Sequence, residues 1–346
     1  MDVAVIGGSG YTGAELLRWI LGHPEFALSL VTSDAEAGRP VAAIHPALAA
    51  STDAVFEPVD AATIASRAKL AFLAVPHTAA MAIVPSLLDA GLTVIDLSAD
   101  FRLSDASIYE HWYGVTHAAP DLLAKAVYGL PEADRSGLLG AKLVAVPGCY
   151  PTATALAALP ALETAGLWDG RPVHVDAKSG VTGAGKGLSP GSHFVAANES
   201  VLPYKVGTHR HTPEIEQTLG RAANESVPVV FAPHLVPLSR GLLSTVYLGM
   251  AREICADEAV EMYRARYAGE PFVRVLEAGS MPSTAEVRGT NRAVIGVTVD
   301  ERTSTLIAAC ALDNLGKGAA SQAIQCANAV LGLPEDTGLT SIGPVI

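Results

Sequence analysis

The sequence predicts an α/β protein: a Rossmann-type, doubly wound parallel sheet followed by an α+β unit whose sheet is mixed and largely antiparallel. Three observations carry that prediction. Short, continuously apolar runs alternate with helical patterns over residues 1–147, the pattern of parallel strands buried on both faces. A glycine-rich loop joins the first run to the first helix, where such folds bind dinucleotides. Beyond residue 150 the apolar runs lengthen and crowd together with short polar connections, which suits antiparallel neighbours.

The elements follow in order. Val3–Ile6 is the first strand, and Ala14–Leu21 has helical spacing until Gly22-His23-Pro24 stops it. Leu28–Thr32, Leu70–Val75, Leu92–Leu97 and Lys142–Val146 are further strands, with a helix over 77–90 between them. A helix starts near 150, and strands follow at 171–178, 227–236, 242–250, 272–277, 293–300 and 304–311. The pairs 227–236/242–250 and 293–300/304–311 are expected as antiparallel neighbours, with helices at 212–224 and 257–267. An Ala-rich helix over 314–331 is expected to return to the first domain. The expected domains are therefore 1–147 with 313–346, and 148–312.

Length and composition narrow the classes. A chain of 346 residues has room for two domains. Half the residues are hydrophobic and 17% charged, which excludes a disordered chain. No run reaches the roughly 18 uncharged apolar residues of a membrane span. Met1–Gly7 has no basic leader region and runs straight into a strand, unlike a signal peptide. A formal charge of −12 without Lys/Arg runs argues against nucleic acid and membranes as partners. Cys149, Cys255, Cys310 and Cys326 form no CxxC pair, the usage of reduced thiols in a cytoplasm. The last three read as packing residues.

Gly7-Gly8-Ser9-Gly10-Tyr11-Thr12-Gly13 fits GxGxxG on Gly8, Gly10 and Gly13, or GxxGxxG on Gly7, Gly10 and Gly13. In both registers glycine permits a tight turn and lets backbone approach a pyrophosphate at a helix N-terminus. At the end of the second strand, Asp34 suits a ribose 2′-OH and NAD. Thr32, Ser33 or Arg39 suit the 2′-phosphate of NADP.

Cys149 follows a strand and Pro147-Gly148, and opens a helix with Pro151 in its first turn. A helix N-terminus favours thiolate, so Cys149 is a candidate nucleophile; a buried, inert cysteine is the other reading. His209-Arg210-His211-Thr212-Pro213-Glu214 places two imidazoles, a guanidinium and a carboxylate just before a helix. A general acid/base with substrate-gripping neighbours fits this cluster. An HxH metal pair is its rival, but no further ligand motif accompanies it and no metal site is expected. Ser98 and Arg102, after the 92–97 strand, suit an anion, as they also suit a plain Asp–Arg surface pair. Ser179-Gly180-Val181-Thr182-Gly183-Ala184-Gly185-Lys186 is a glycine-rich loop without P-loop spacing, and Asp313-Asn314 offers donors to a cofactor.

GGSGYTGAELLR, AVPHTAA, DLSADFRL, YGLPE, VPGCYPTA, SGVTGAGK, HRHTPEI, PLSRGLLST and DNLGKGAASQAIQ occur in this order from residue 7 to 326. This series resembles the N-acetyl-γ-glutamyl-phosphate reductases, the arginine-pathway family of the aspartate-semialdehyde-dehydrogenase-like superfamily. The resemblance covers nearly the whole chain and is most specific in PGCYPTA and HRHTPEI. It implies NADP(H)-dependent reduction of an acyl phosphate through a Cys149 thioester, with His209 as general acid/base and His211 close behind. Arg102, Ser179, Gly180, Glu214 and Arg240 would hold substrate. Gly7, Ser9, Gly10, Tyr11, Thr12, Gly13, Ser33, Pro76, Gly183 and Asn314 would line the NADP site.

The resemblance further implies a cytoplasmic homodimer or homotetramer, assembled through the 148–312 domain. The alternative is the homologous reductase of lysine biosynthesis, whose aminoadipyl phosphate rides on a small acidic carrier protein. A carrier would want a basic collar, and this chain shows no obvious one. A non-catalytic NADP-binding sensor is hard to reconcile with Cys149, His209 and Arg102 together.

Overall fold

The structure, a computed structural model, describes residues 1–340, 342 and 343. In chain order the first part contains β1 (Asp2–Ile6), α1 (Tyr11–Leu21), β2 (Ala27–Thr32), α2 (Val41–Ile44), α3 (Ala61–Arg67) and β3 (Leu70–Leu73). It continues with α4 (Ala80–Asp89), β4 (Thr93–Asp96), α5 (Ala106–Tyr113), β5 (Val127–Tyr128) and β6 (Leu143–Ala145). The second part runs α6 (Cys149–Glu163), β7 (Val173–Gly180), α7 (Phe194–Ala197), β8 (Leu202–Pro203), α8 (Thr212–Ala223), β9 (Val229–Val236) and β10 (Leu242–Gly249). Then come α9 (Ala256–Arg266), β11 (Val273–Val275), β12 (Ala293–Asp300), β13 (Thr305–Leu312) and finally α10 (Ser321–Val330). The chain divides into two compact units, Met1–Pro147 with residues 319–340, and Gly148–Gly318 with residues 342 and 343.

The first unit is built on a six-stranded sheet in the order β2-β1-β3-β4-β6-β5, parallel throughout. Val3–Ile6, Leu70–Leu73 and Val94–Ile95 are fully buried. A run without polar alternation is stable only where both sheet faces are covered. From β1 the chain steps outward to β2, then crosses back to β3 on the other side. The carboxyl ends of β1 and β3 therefore flank the switch point, where doubly wound sheets take their ligands. Helices α3 and α5 are short and weakly periodic, and their signals are caps. Asp60 accepts Thr63 N–H at 2.7 Å, and Asp105 accepts Ser107 N–H at 2.7 Å.

The second unit carries a seven-stranded mixed sheet, β11-β12-β13-β10-β7-β9-β8. Strands β12 and β13 pair antiparallel, as do β13 with β10 and β10 with β7. The expected pairing of 227–236 with 242–250 does not form. Instead β9 runs parallel to β7 from Val173↔Val229 to Gly180↔Val236, and β7 lies between β9 and β10. The reason is in the connection. Leu238 O accepts Val181 N–H at 2.8 Å, and Gly241 O accepts Gly180 N–H at 2.8 Å. The 237–241 segment thus wraps the end of β7 instead of folding back as a hairpin.

Two further expectations change. Asp313–Gly318 stays with the second unit, because buried Asp313 is held by Arg240 and by Gly289 N–H. The expected 314–331 helix is a π-helical turn, Gly316–Ala320, running into α10, which packs beside α1. Cys310 and Cys326 are buried, whereas Cys255 is exposed at the N-cap of α9 and is no packing residue. Among the described residues no helix is long and apolar enough to cross a membrane.

Candidate active site

In the first unit the glycine loop is shaped by close approach. Gly7 has φ +85°, and a Cβ there would lie 2.6 Å from Ala74 O. A Cβ on Gly13 would lie 2.6 Å from Gly7 O, so α1 packs directly on the loop. A Cβ on Gly8 would enter the Val31 side chain, so both glycine registers have steric reasons. Gly10 differs: it precedes α1 without a side-chain cap, and nothing lies within 4 Å of its would-be Cβ. The first N–H groups of α1, at Tyr11 and Thr12, thus receive no side-chain cap from Gly10, a helix start that fits a pyrophosphate.

Ser9 and Ser33 hydroxyls are 2.9 Å apart and join the loop to the end of β2. Asp34 Oδ1 accepts Val59 N–H at 2.9 Å, and Arg39 pairs with Glu36 at 2.5 Å. Pro76 is exposed just past β3.

The turn after β4 is a buried polar network. Asp96 accepts Ser98 N–H at 2.9 Å and Ser98 Oγ–H at 2.8 Å. Burial pushes its carboxyl up to about 7, against these hydrogen bonds. Arg102, expected at substrate, is itself buried, donating from Nε to Val146 O and from NH2 to Leu97 O, each at 2.8 Å. Its guanidinium braces the end of β6, the strand that leads in sequence to Cys149.

In the second unit Cys149 is the first residue of α6, after Gly148 in extended conformation and with no side-chain cap. Its thiol is in no disulfide and is partly exposed, and it sits where the helix dipole favours thiolate. Tyr150 through Leu162 are buried, so the helix bearing the thiol is held along its length. Glu214, also expected at substrate, is 1% exposed and accepts Gly148 N–H at 2.9 Å. The HRHTPEI motif thereby grips the residue that precedes Cys149. A Cβ on Gly318 would lie 2.7 Å from Cys149 Cβ, which explains the glycine of DNLGKG.

His209 and His211 lie on a turn, with ring centroids 4.8 Å apart and tilted. Tyr150 stands edge-on to both, at 5.9 and 6.0 Å. His209 Nδ1 accepts His211 N–H at 3.1 Å, which leaves the proton of the neutral ring on Nε2. Among the described residues no group of three or more His, Cys, Asp or Glu is placed to hold a metal ion.

Tyr204, in a loop with no motif to mark it, was not legible in the sequence. Its ring is 5.4 Å from His209, and its hydroxyl donates to Tyr150 Oη at 3.3 Å. Burial pushes the Tyr204 phenol up to about 12, and Cys149 adds to the shift. Both phenols therefore remain protonated beside the imidazoles, since burial raises Tyr150 as well.

Ser179 and Gly180 end β7, and the loop beyond them is stitched in place. A Cβ on Gly180 would strike Leu238 O, and one on Gly183 would strike Ser179 Oγ, each at 2.8 Å. Thr182 Oγ1 accepts from Asn314 Nδ2 at 2.9 Å, and Asn314 Oδ1 accepts Gly241 N–H at 2.9 Å. Arg240 Nε donates to Asp313 at 2.9 Å. Thr182 and Asp313 are further positioning groups that the motifs contained without distinguishing.

A glycine-loop α/β unit joined to a mixed-sheet unit with a cysteine at a helix start defines the semialdehyde dehydrogenase class. The family model "Semialdehyde dehydrogenase, NAD binding domain" matches residues 2–141, and "Semialdehyde dehydrogenase, dimerisation domain" matches 149–314. The first unit is therefore a nicotinamide-dinucleotide-binding domain. Aspartate semialdehyde dehydrogenase II from Vibrio cholerae has the same fold, with TM-score 0.71 and 17% identity over 95% of this chain and 97% of that one. The Candida albicans aspartate semialdehyde dehydrogenase solved with NADP superposes with TM-score 0.70 and 15% identity, covering 94% and 99%.

Sequence relatives narrow the class. N-acetyl-gamma-glutamyl-phosphate reductase of Symbiobacterium thermophilum is 48% identical over 99% of this chain and 98% of its own. That of Halorhodospira halophila is 48% identical over 100% and 99%. The chain belongs to the N-acetyl-γ-glutamyl-phosphate reductase family.

Proposed function

We propose that the protein reduces N-acetyl-γ-glutamyl phosphate to N-acetylglutamate semialdehyde and phosphate in arginine biosynthesis, with NADPH as reductant. The observation that carries this reading is Cys149 at the uncapped start of α6, with two imidazoles on the ring of the next residue. The Cys149 thiolate attacks the acyl carbon. The carbon–oxygen bond to phosphate breaks, phosphate departs with the electron pair, and a thioester remains.

When bound, the cofactor supplies the hydride that reduces the thioester carbon to a thiohemiacetal. His209 is the general acid/base of that step: its Nε2–H donates a hydrogen bond to the oxygen as charge develops there. As the carbon–sulfur bond breaks, that oxygen re-forms the carbonyl, releasing the semialdehyde and restoring the thiolate. His211 fixes the His209 tautomer through its backbone N–H and stands as the second candidate.

Ser179, Gly180 and Arg240 hold substrate, Arg240 being oriented by Asp313. Arg102 and Glu214 act one step back, by fixing backbone. The glycine loop, Tyr11, Thr12, Ser33 and Pro76 serve the cofactor, and Gly183 and Asn314 are assigned to it on the family resemblance alone. For NADP over NAD we weigh the Ser33 hydroxyl and Arg39, with Asp34 engaged by Val59 N–H. Leu188, Phe194 and Val195 are 92%, 78% and 89% exposed, apolar exposure that supports a homodimer or homotetramer; the four cysteines without a CxxC pair support the cytoplasm.

The test runs the reaction backwards. N-acetylglutamate semialdehyde and phosphate are mixed with the protein, NADP and NAD are supplied separately, and absorbance at the NADPH band is followed. Phosphate-dependent reduction of NADP, absent in Cys149→Ala, is the expected result. No reduction from folded protein that binds NADPH would overturn the substrate; equal rates with NAD would overturn the cofactor preference.

A further inference from the structure

Thr78 is β-branched, exposed, and held at φ +75°. That region is strained for any residue with a Cβ, most of all a branched one. The strain persists because a buried carboxylate grips the segment. Asp100, fully buried, accepts Thr78 N–H on Oδ1 at 2.7 Å and Met81 N–H on Oδ2 at 3.1 Å. Tyr109 Oη–H donates to the same Oδ1 at 2.8 Å. The grip is reciprocal, since His77 Nδ1 accepts Ala99 N–H at 3.2 Å. The turn after β4 and the segment after β3 are thus clamped to each other at the carboxyl edge of the parallel sheet.

That segment borders the glycine loop. Ala74 N–H donates to Ile6 O at 2.8 Å, and Ala74 O is the atom a Cβ on Gly7 would strike. Pro76, His77 and Thr78 follow immediately and are exposed, on the β3 side of the switch point where a dinucleotide lies. A purely structural cap on α4 would not need a strained, exposed residue. We propose that Asp100 is a positioning residue for the pyridine dinucleotide: it holds Thr78 left-handed, so that Pro76–Thr78 stands beside the glycine loop as one wall of the cofactor site. The inference rests on the reading of the first unit as the cofactor domain.

The test is a double-mutant cycle read by NADPH fluorescence titration, with melting temperature and kcat recorded alongside. Asp100→Asn leaves a single acceptor where the carboxylate offers two, and the segment relaxes. NADPH binding is expected to weaken about tenfold, with kcat at saturating cofactor within about twofold. Thr78→Gly removes the strain, because glycine adopts positive φ freely. In the double variant it restores affinity to within about threefold of wild type, an energetic coupling that neighbours in one network show.

Unchanged affinity in Asp100→Asn would overturn the inference. So would weakened affinity that Thr78→Gly leaves unrescued, since Asp100 would then act on the fold at large. If the wild type binds no NADPH, the cofactor reading falls and this inference with it; if the wild type binds and the cycle shows no coupling, only this inference falls. Should Asp100→Asn not fold, Tyr109→Phe removes one donor from the carboxylate and is paired with Thr78→Gly in the same cycle.

Discussion

Glu214 Oε1 accepts the N–H of Gly148 at 2.9 Å, so a carboxylate in the first turn of α8 holds the peptide just before Cys149. Glu214→Ala removes that hold, and a misplaced nucleophile is expected to lower kcat by about 10²-fold. Glu214→Gln keeps an oxygen for the Gly148 N–H and retains most activity. It also replaces an acidic group hydrogen-bonded to the residue before Cys149 with a neutral amide, and a neighbouring negative charge disfavours thiolate. The pH of half-maximal alkylation of Cys149 by iodoacetamide therefore falls in Glu214→Gln. An unchanged or higher midpoint would contradict this electrostatic relation.

The two imidazoles should separate by substitution. His209→Asn loses the proton donor and is expected to reduce kcat by about 10²–10⁴-fold. In His211→Asn the backbone N–H that orients His209 remains, so the loss is smaller. A single-turnover assay of phosphate release from acyl phosphate checks the assignment, because thioester formation should survive in His209→Asn while semialdehyde release stalls. Equal losses in both variants would give the role to the pair.

Gly7→Ala tests the glycine loop. The new Cβ meets Ala74 O at 2.6 Å in a backbone of φ +85°. The strain of such a residue is about 1–3 kcal/mol. Urea unfolding should register that destabilisation, and NADPH titration a weakened cofactor. Gly10→Ala, facing open space, should leave the stability nearly unchanged, so an equal loss at both positions would refute the steric reading.

Asp96 gives a pH dependence with a definite sign. Burial raises its carboxyl from the ordinary 3.8 to about 7. Between those values the native state binds the proton more strongly than the unfolded chain, so this group makes stability fall as pH rises through the window. Asp96→Asn cannot titrate and keeps an acceptor for Ser98. Urea midpoints measured from pH 4.5 to 8 should decline less in the variant than in the wild type. Parallel profiles would show that Asp96 keeps its ordinary titration in the fold.

Much of the fold and site was legible because local chemistry dictates it. Val3–Ile6 and Leu70–Leu73 are apolar without alternation and must be covered on both faces. Cys149 follows Pro147-Gly148 and precedes Pro151, so its place at a helix start is written in neighbouring residues. Tyr204 carried no such mark. Its part depends on a hydroxyl meeting Tyr150 Oη at 3.3 Å, across residues far apart in sequence.

The sequence by itself determined the period of each element, the glycines that allow close backbone approach, and the types of group the site contains. These depend on neighbours a few residues away, through sterics and apolar spacing. Only the tertiary structure decided which strand β9 joins, because the 237–241 connection spends its carbonyls on the end of β7. Only the tertiary structure showed Arg102 and Glu214 buried against backbone, Arg102 on Val146 O and Leu97 O and Glu214 on Gly148 N–H. A buried charged group takes whichever backbone partner the fold brings within 3 Å, since leaving it without one costs more than any other arrangement.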